Sequence, residues 1–168
     1  MDNLIGGTLG KLLKEEQPEL YEKIQKENIL NGEIKQDDNL KYLRNTIGVV
    51  QAFLDTGAIA VLDMQTFSLY SASEFTEKIF SKDLDIYSHV KILISKMKDG
   101  NIWLHTRGLR KFGRPDISIE NIHESDVDKA VRVANQMIFY SSLGVLFNKK
   151  TKLHTHKEET FIVNPKFI

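Results

Sequence analysis

The chain contains no cysteine among its 168 residues, so disulfide staples, thiolate zinc sites and thiol nucleophiles are all excluded. It has no surplus of either charge: 23 Lys and Arg stand against 23 Asp and Glu. A neutral balance removes the whole-molecule field that draws many nucleic-acid and membrane-surface proteins to polyanions. Any basic function must then be local. Proline is scarce, at Pro18, Pro115 and Pro165, and no Pro-rich linker divides the chain. The first ten residues, "MDNLIGGTLG", are broken by three glycines, short of the apolar run that a signal peptide or membrane span needs. The expectation is a single cytoplasmic domain spanning 1–168 that neither enters a membrane nor binds nucleic acid.

What is present is periodicity. Pro18 stands where a helix can begin, and Leu20, Tyr21 and Ile24 share a face. Together they predict a polar, helical N-terminal segment over 1–38, peripheral to the core, that ends in the connector "NGEIKQDD". From Asn39, Leu40, Leu43, Ile47, Val50 and Leu54 recur by threes and fours, with Asp38 or Asn39 as cap and Gly57 past the end, which predicts an amphipathic helix. "AIAVLDM" is short and aliphatic and predicts a buried strand. Ser71 and Glu74 have the spacing of a capping box, before a short helix whose dry side holds Phe75, Ile79 and Phe80.

In "HVKILISKMKDGNIWLHT" two strand-like runs flank Asp99-Gly100, the pair favoured in two-residue hairpin turns. Consecutive Ile92, Leu93 and Ile94 predict that the first arm is covered on both faces and central in its sheet. "PDISIEN" alternates as a half-exposed strand with Ile117 and Ile119 inward. From Ser125, Val127, Ala130, Val131, Ala134, Met137, Ile138 and Ser141 trace the face of a long helix that Gly144 stops, and "TFIVN" is a last strand. These elements predict an α+β domain. Its antiparallel or mixed sheet has about five strands, centres on the Asp99-Gly100 hairpin and is covered by the two strong amphipathic helices. The face they leave open is then a candidate for a protein partner or for self-association.

The most suggestive stretch is "LHTRGLRKFGRPDISIENI", where Arg107, Arg110, Lys111 and Arg114 fall within eight residues. Their spacing fits neither a Walker loop nor a dinucleotide turn, but it suits a local site for an anion or an acidic partner. Gly108, Gly113 and Pro115 set the backbone there, and Leu109 and Phe112 anchor the turn inward. Three other constellations are weaker. His154, His156 and Glu158 alternate as metal ligands on one strand face would, but sit among Lys, Thr and Glu, so no metal is expected. His105, Asp116 and His123 with Ser118, Ser141 or Ser142 name the parts of a hydrolase without its nucleophile elbow. His105, next to Trp103 but one, reads as a packed structural histidine, and Phe75, Phe80, Phe139 and Tyr140 fall in helical patterns suited to a core rather than to base stacking.

"TGAIAVLDMQTFSLYSASEF", then "WLHTRGLRKFGRPDISIE", then an amphipathic helix resemble the bacterial family called domain of unknown function 4261, from about Asn39 to the C-terminus. The most specific match is Thr106, Gly108, Leu109, Phe112, Gly113, Pro115 and Asp116, in the form T-x-G-L-x-x-F-G-x-P-[DE]. The resemblance implies no enzymatic activity, and no cofactor is expected. The function expected is a non-enzymatic binding or protein-interaction module. The alternative is a small enzyme acting on an anionic substrate near Arg107, Arg110, Lys111 and Arg114.

Overall fold

A computed structural model describes residues 7–24, 30, 32, 39–154 and 160–163. The connector "NGEIKQDD" apart from Gly32, together with His156, Glu158 and Pro165, lies outside them. The fold is α+β, and the described residues divide into two compact units that meet in sequence between Asp85 and Ile86.

The first unit begins with α1 (Thr8–Glu16) and α2 (Pro18–Lys23), both inside the segment expected to be helical, α2 starting at the expected proline. The Gln17 side chain donates to the Leu69 carbonyl at 2.9 Å, tying this segment to a strand 52 residues on. Helix α3 (Lys41–Asp55) opens where the Asn39 carboxamide accepts the Lys41 amide at 3.0 Å, and Gly57, at φ 110°, follows its end. Strand β1 (Ala60–Asp63) is half-buried rather than buried. It pairs antiparallel with β2 (Ser68–Ser71), a strand its sequence conceals, in the register Ala60 to Ser71. Ser71 and Glu74 form the expected capping box at the start of α4 (Ala72–Lys78).

The core of this unit is Leu54, Phe75 and Ile79, with Ile47, Val50, Val61 and Tyr70 packed against them. The apolar stripe of α3 is therefore satisfied by α4 and the β1–β2 hairpin. Phe80 departs from the expected dry side: it is 46% exposed, because α4 ends before it and Ile79 takes the inward position.

The second unit holds β3 (Lys91–Lys96), β4 (Ile102–Arg107), β5 (Ser118–Ile122), α5 (Val127–Ser142), β6 (Thr151–His154) and β7 (Thr160–Val163). Instead of one five-stranded sheet, the described strands form three antiparallel sheets: β1–β2, β3–β4–β5 and β6–β7. The expectation fails because α3 and α5, read as two covers for one sheet, belong to different units with separate cores.

The Asp99-Gly100 hairpin is present, with two corrections. Its loop has three residues rather than two: Met97 and Asn101 still bond at 2.7 Å, Gly100 takes φ 89°, and the Asp99 carboxylate accepts the Asn101 amide at 3.0 Å. One left-handed glycine followed by a bulge needs no positive φ at Asp99. The central strand is β4, not β3. β3 is an edge whose Ile92 and Leu93 are half-buried while Ile94 and both terminal lysines are exposed, so three consecutive apolar residues here do not mark a strand covered on both sides.

Helix α5 covers one face of this sheet. Val127, Ala130, Val131 and Ala134 pack on Ile102, Leu104 and Ile122. One turn on, Val133 and Met137 pack with Leu153 of β6, together with Ile117, Phe147 and Phe161. The helix opens two residues later than Ser125, because His123 Nδ1 accepts the Ser125 amide and holds Glu124–Asp126 in a 3-10 turn.

Candidate functional site

Strand β4 runs into the glycine corner. Gly108, at φ 115°, turns the chain into a 3-10 turn over Leu109–Phe112, and Gly113, at φ 66°, turns it out. Both conformations are costly for any residue with a Cβ. The Lys111 amide donates to Gly108, that of Gly113 to Arg110 and that of Arg114 to Leu109, at 3.0 to 3.2 Å. Leu109 and Phe112 are buried, the Phe112 ring lying edge-on to buried His89 with centroids 6.0 Å apart. Oδ1 of Asp116 closes the corner by accepting the Thr106 hydroxyl and the Leu109 amide, each at 3.1 Å. The Thr106 hydroxyl in turn accepts the Ile117 amide at 2.8 Å. Thr106, Gly108, Leu109, Phe112, Gly113 and Asp116 thus form one turn, and Pro115 is an exposed residue that leads out of it.

The four cations are not equivalent. Arg110 is exposed, whereas Arg107, Lys111 and Arg114 are half-buried. Arg114 reaches across to the end of α5, its Nη2 donating to the Gly144 carbonyl at 3.2 Å, while Nη1 donates to Gly113. Gly144, at φ 100°, closes α5 in a Schellman arrangement: its amide donates to Ser141, and that of Val145 donates to Tyr140. An alanine Cβ at Gly144 would stand 3.4 Å from Arg114 Nη2, so the guanidinium lies directly against the turn.

That turn is the feature sequence reasoning missed. Phe139, Tyr140, Leu143, Val145 and Leu146 are all exposed, Leu143 at 62% and Leu146 at 50%. Phe139 and Tyr140 stack edge-to-face at 5.7 Å and do not enter the core as expected, because Met137, Ile138, Ser141 and Ser142 take the buried positions around them. "GVLF" just past a helix stop, where the next stretch is polar and rich in lysine, was the available signal. The stretch 139–146 carries no charge, while 107–114 carries four cations and no acid. The Arg114 bond to Gly144 joins the two.

The hydrolase parts do not assemble. Asp116 holds the corner, Ser118 accepts the Trp103 indole N–H at 2.8 Å, Ser142 donates to Phe139 at 2.7 Å, Ser141 is buried, and His123 pairs with the Ser125 hydroxyl at 2.8 Å. On the sheet face away from α5, His105 stacks on Trp103 at 4.1 Å, and its buried Nδ1 has no hydrogen-bond partner among the described residues. His154 Nδ1 lies 3.1 Å from the Thr160 hydroxyl, and its two proposed co-ligands lie outside the described residues. Among the described residues no three His, Asp or Glu side chains are grouped to hold a metal ion.

The resolved carboxylate shifts are structural. Glu74 is held below its ordinary range first by the Ser71 amide and then by the Ser71 hydroxyl, and Asp126 by its bond to Lys129. Comparison with family models, with curated proteins and with solved structures finds no match. No described helix is long and apolar enough to cross a membrane.

Proposed function

We propose that this chain is a protein-interaction module that binds through the glycine corner and the adjoining end of α5. The observation that carries this reading is the bond from Arg114 to Gly144, which fastens a turn of four cations to an uncharged turn of exposed aromatic and aliphatic side chains. Protein interfaces are built in this way, with an apolar and aromatic centre and a rim that includes arginine. Contiguous exposed apolar side chains of this kind are uncommon on a surface that only meets water. The corner also suits binding because its backbone is already fixed, so its cations lose less freedom on contact than they would on a loose tail. The proposed kinship with domain of unknown function 4261 carries no activity to set against this reading.

The test is affinity capture from the native host with the intact chain and with Leu143→Ser combined with Val145→Ser. Both positions are exposed, so the double variant is expected to keep its melting temperature. A partner retained by the parent and lost by the double variant supports the reading. An identical set of captured proteins sinks it.

A further inference from the structure

We infer that α3 carries a separate interface on the side turned away from its core, and that a second copy of this chain docks there, antiparallel, about a two-fold axis. This surface belongs to the first unit, whereas the glycine corner and the end of α5 belong to the second. Ile47, Val50 and Leu54 turn one side of α3 to its core. The opposite side holds Asn45, Val49, Ala52 and Phe53, all exposed, Val49 at 46% and Phe53 at 49%. The outer side of a helix that meets only water ordinarily carries charge. Here no residue from Asn45 to Leu54 is charged. The surface also dips beside the two large side chains, because a Cβ on Gly48 would meet nothing within 4 Å and Ala52 is small.

Charge selects the occupant. Lys41 and Asp55 stand at opposite ends of α3, exposed and on the same flank. Asp55 gives Oδ1 to the Gln51 side chain at 2.9 Å, and the Lys41 ammonium has no partner among the described residues. About 20 Å of helix separates them, so they cannot meet within one molecule. A second copy laid antiparallel about a two-fold near Val49 brings Lys41 of each copy to Asp55 of the other, at both ends of the contact. Between those ends, uncharged side chains face their uncharged counterparts, and the two helix dipoles run in opposite directions. A partner of another sequence would have to match this pattern, whereas the chain already matches itself. Nucleic acids and anionic membranes find little positive charge on this side: Lys41 and Arg44 stand at one end only, and Arg44 donates to the Lys82 carbonyl at 3.4 Å. One pair of helices covers less than the roughly 800 Å² per partner of a standard interface, so the dimer is weak and forms in the micromolar range or above.

Sedimentation equilibrium of the intact chain, from about 1 μM to about 1 mM, is expected to show a monomer passing to a dimer. Ala52→Glu places a carboxylate against its own duplicate and should raise the dissociation constant at least about tenfold. Glutamate suits a helix, so the melting temperature in dilute solution should hold. Lys41→Glu should weaken the dimer about threefold or more, and adding Asp55→Lys should restore it. Because the two positions cannot meet within one molecule, that recovery arises only between copies.

A chain that stays monomeric throughout overturns the proposal, as does a dimer that Ala52→Glu leaves intact. Should Ala52→Glu lower the melting temperature, the charge exchange decides: a double variant that dimerises no better than Lys41→Glu overturns the pairing. A dimer that resists these changes and is lost in Leu143→Ser with Val145→Ser also overturns it, and moves self-association to the end of α5. The capture experiment, which changes only Leu143 and Val145, stands or falls separately.

Discussion

The Thr106 hydroxyl donates to the Asp116 carboxylate, ten residues on, and accepts the amide of Ile117, so one buried oxygen holds both sides of the corner. Replacement by valine keeps the shape and removes both bonds, leaving the Ile117 amide without its partner. Thr106→Val should cost about 1 to 3 kcal/mol, while Thr106→Ser keeps the hydroxyl and should cost less. Urea denaturation of the two variants beside the parent measures the difference. A Val variant as stable as the Ser variant would remove this bond from the account of the corner.

The corner's apolar and charged residues should separate in the same assay. Phe112 is buried against His89, so Phe112→Ala should cost roughly 3 kcal/mol or more. Arg110→Gln is a surface change and should stay within about 0.5 kcal/mol. Arg114→Gln should fall between them, near 1 kcal/mol, because it releases the Gly144 carbonyl.

The distinction between Arg114 and its neighbours marks the limit of what the sequence discloses. Glycines, buried anchors and cations alternate visibly along "TRGLRKFGRPD", and local spacing is enough to sort them. That Arg114 reaches Gly144, 30 residues away, depends on how α5 packs, and no local pattern contains it. The same boundary runs through the fold. The capping box at Ser71 and the glycine beyond each long helix are decided within a few residues and stand as read. The edge position of β3 and the division into small sheets are decided by which apolar face finds which partner. Ile92, Leu93 and Ile94 look alike in sequence, and only pairing shows that the strand has a neighbour on one side. Strand β2, hidden in "SLYS", is legible only beside β1.

Two glycines should respond to alanine in opposite directions. Gly48 lies inside α3 and Gly100 at φ 89° in the hairpin loop, and a Cβ would meet nothing within 4 Å at either. Space is therefore not the issue. Gly48→Ala should stabilise by about 0.5 to 1 kcal/mol, because alanine has less freedom to lose on entering a helix. Gly100→Ala should destabilise by about 1 to 2 kcal/mol, the strain of a side chain in left-handed backbone. Thermal melts of both variants give the signs directly, and a Gly100→Ala variant with an unchanged midpoint would contradict the loop conformation.

The capping box should titrate. Hydrogen bonds from the Ser71 amide and hydroxyl favour the charged carboxylate of Glu74 and lower its pKa in the folded chain. A depressed carboxylate contributes stability that is fully present above its unfolded value and is lost as the pH falls through the folded one. Glu74→Gln should therefore melt below the parent at neutral pH, and the gap should close as the pH falls through and below the ordinary carboxylate range. A gap that is constant from neutral to acid pH would mean that the charge of Glu74 contributes nothing to the cap.

Strand β3 has a consequence for the chain in company. Its outer rim offers backbone donors and acceptors that no described strand takes up, the template on which stray strands add. Lys91 and Lys96, exposed at its two ends, put a positive charge at each end of that rim, and a second copy would bring its own against them. Without those two lysines, "ILIS" would be a short, uncharged, β-favouring ribbon of the kind that seeds fibrils. The two lysines are therefore expected to disfavour strand addition between one molecule and another.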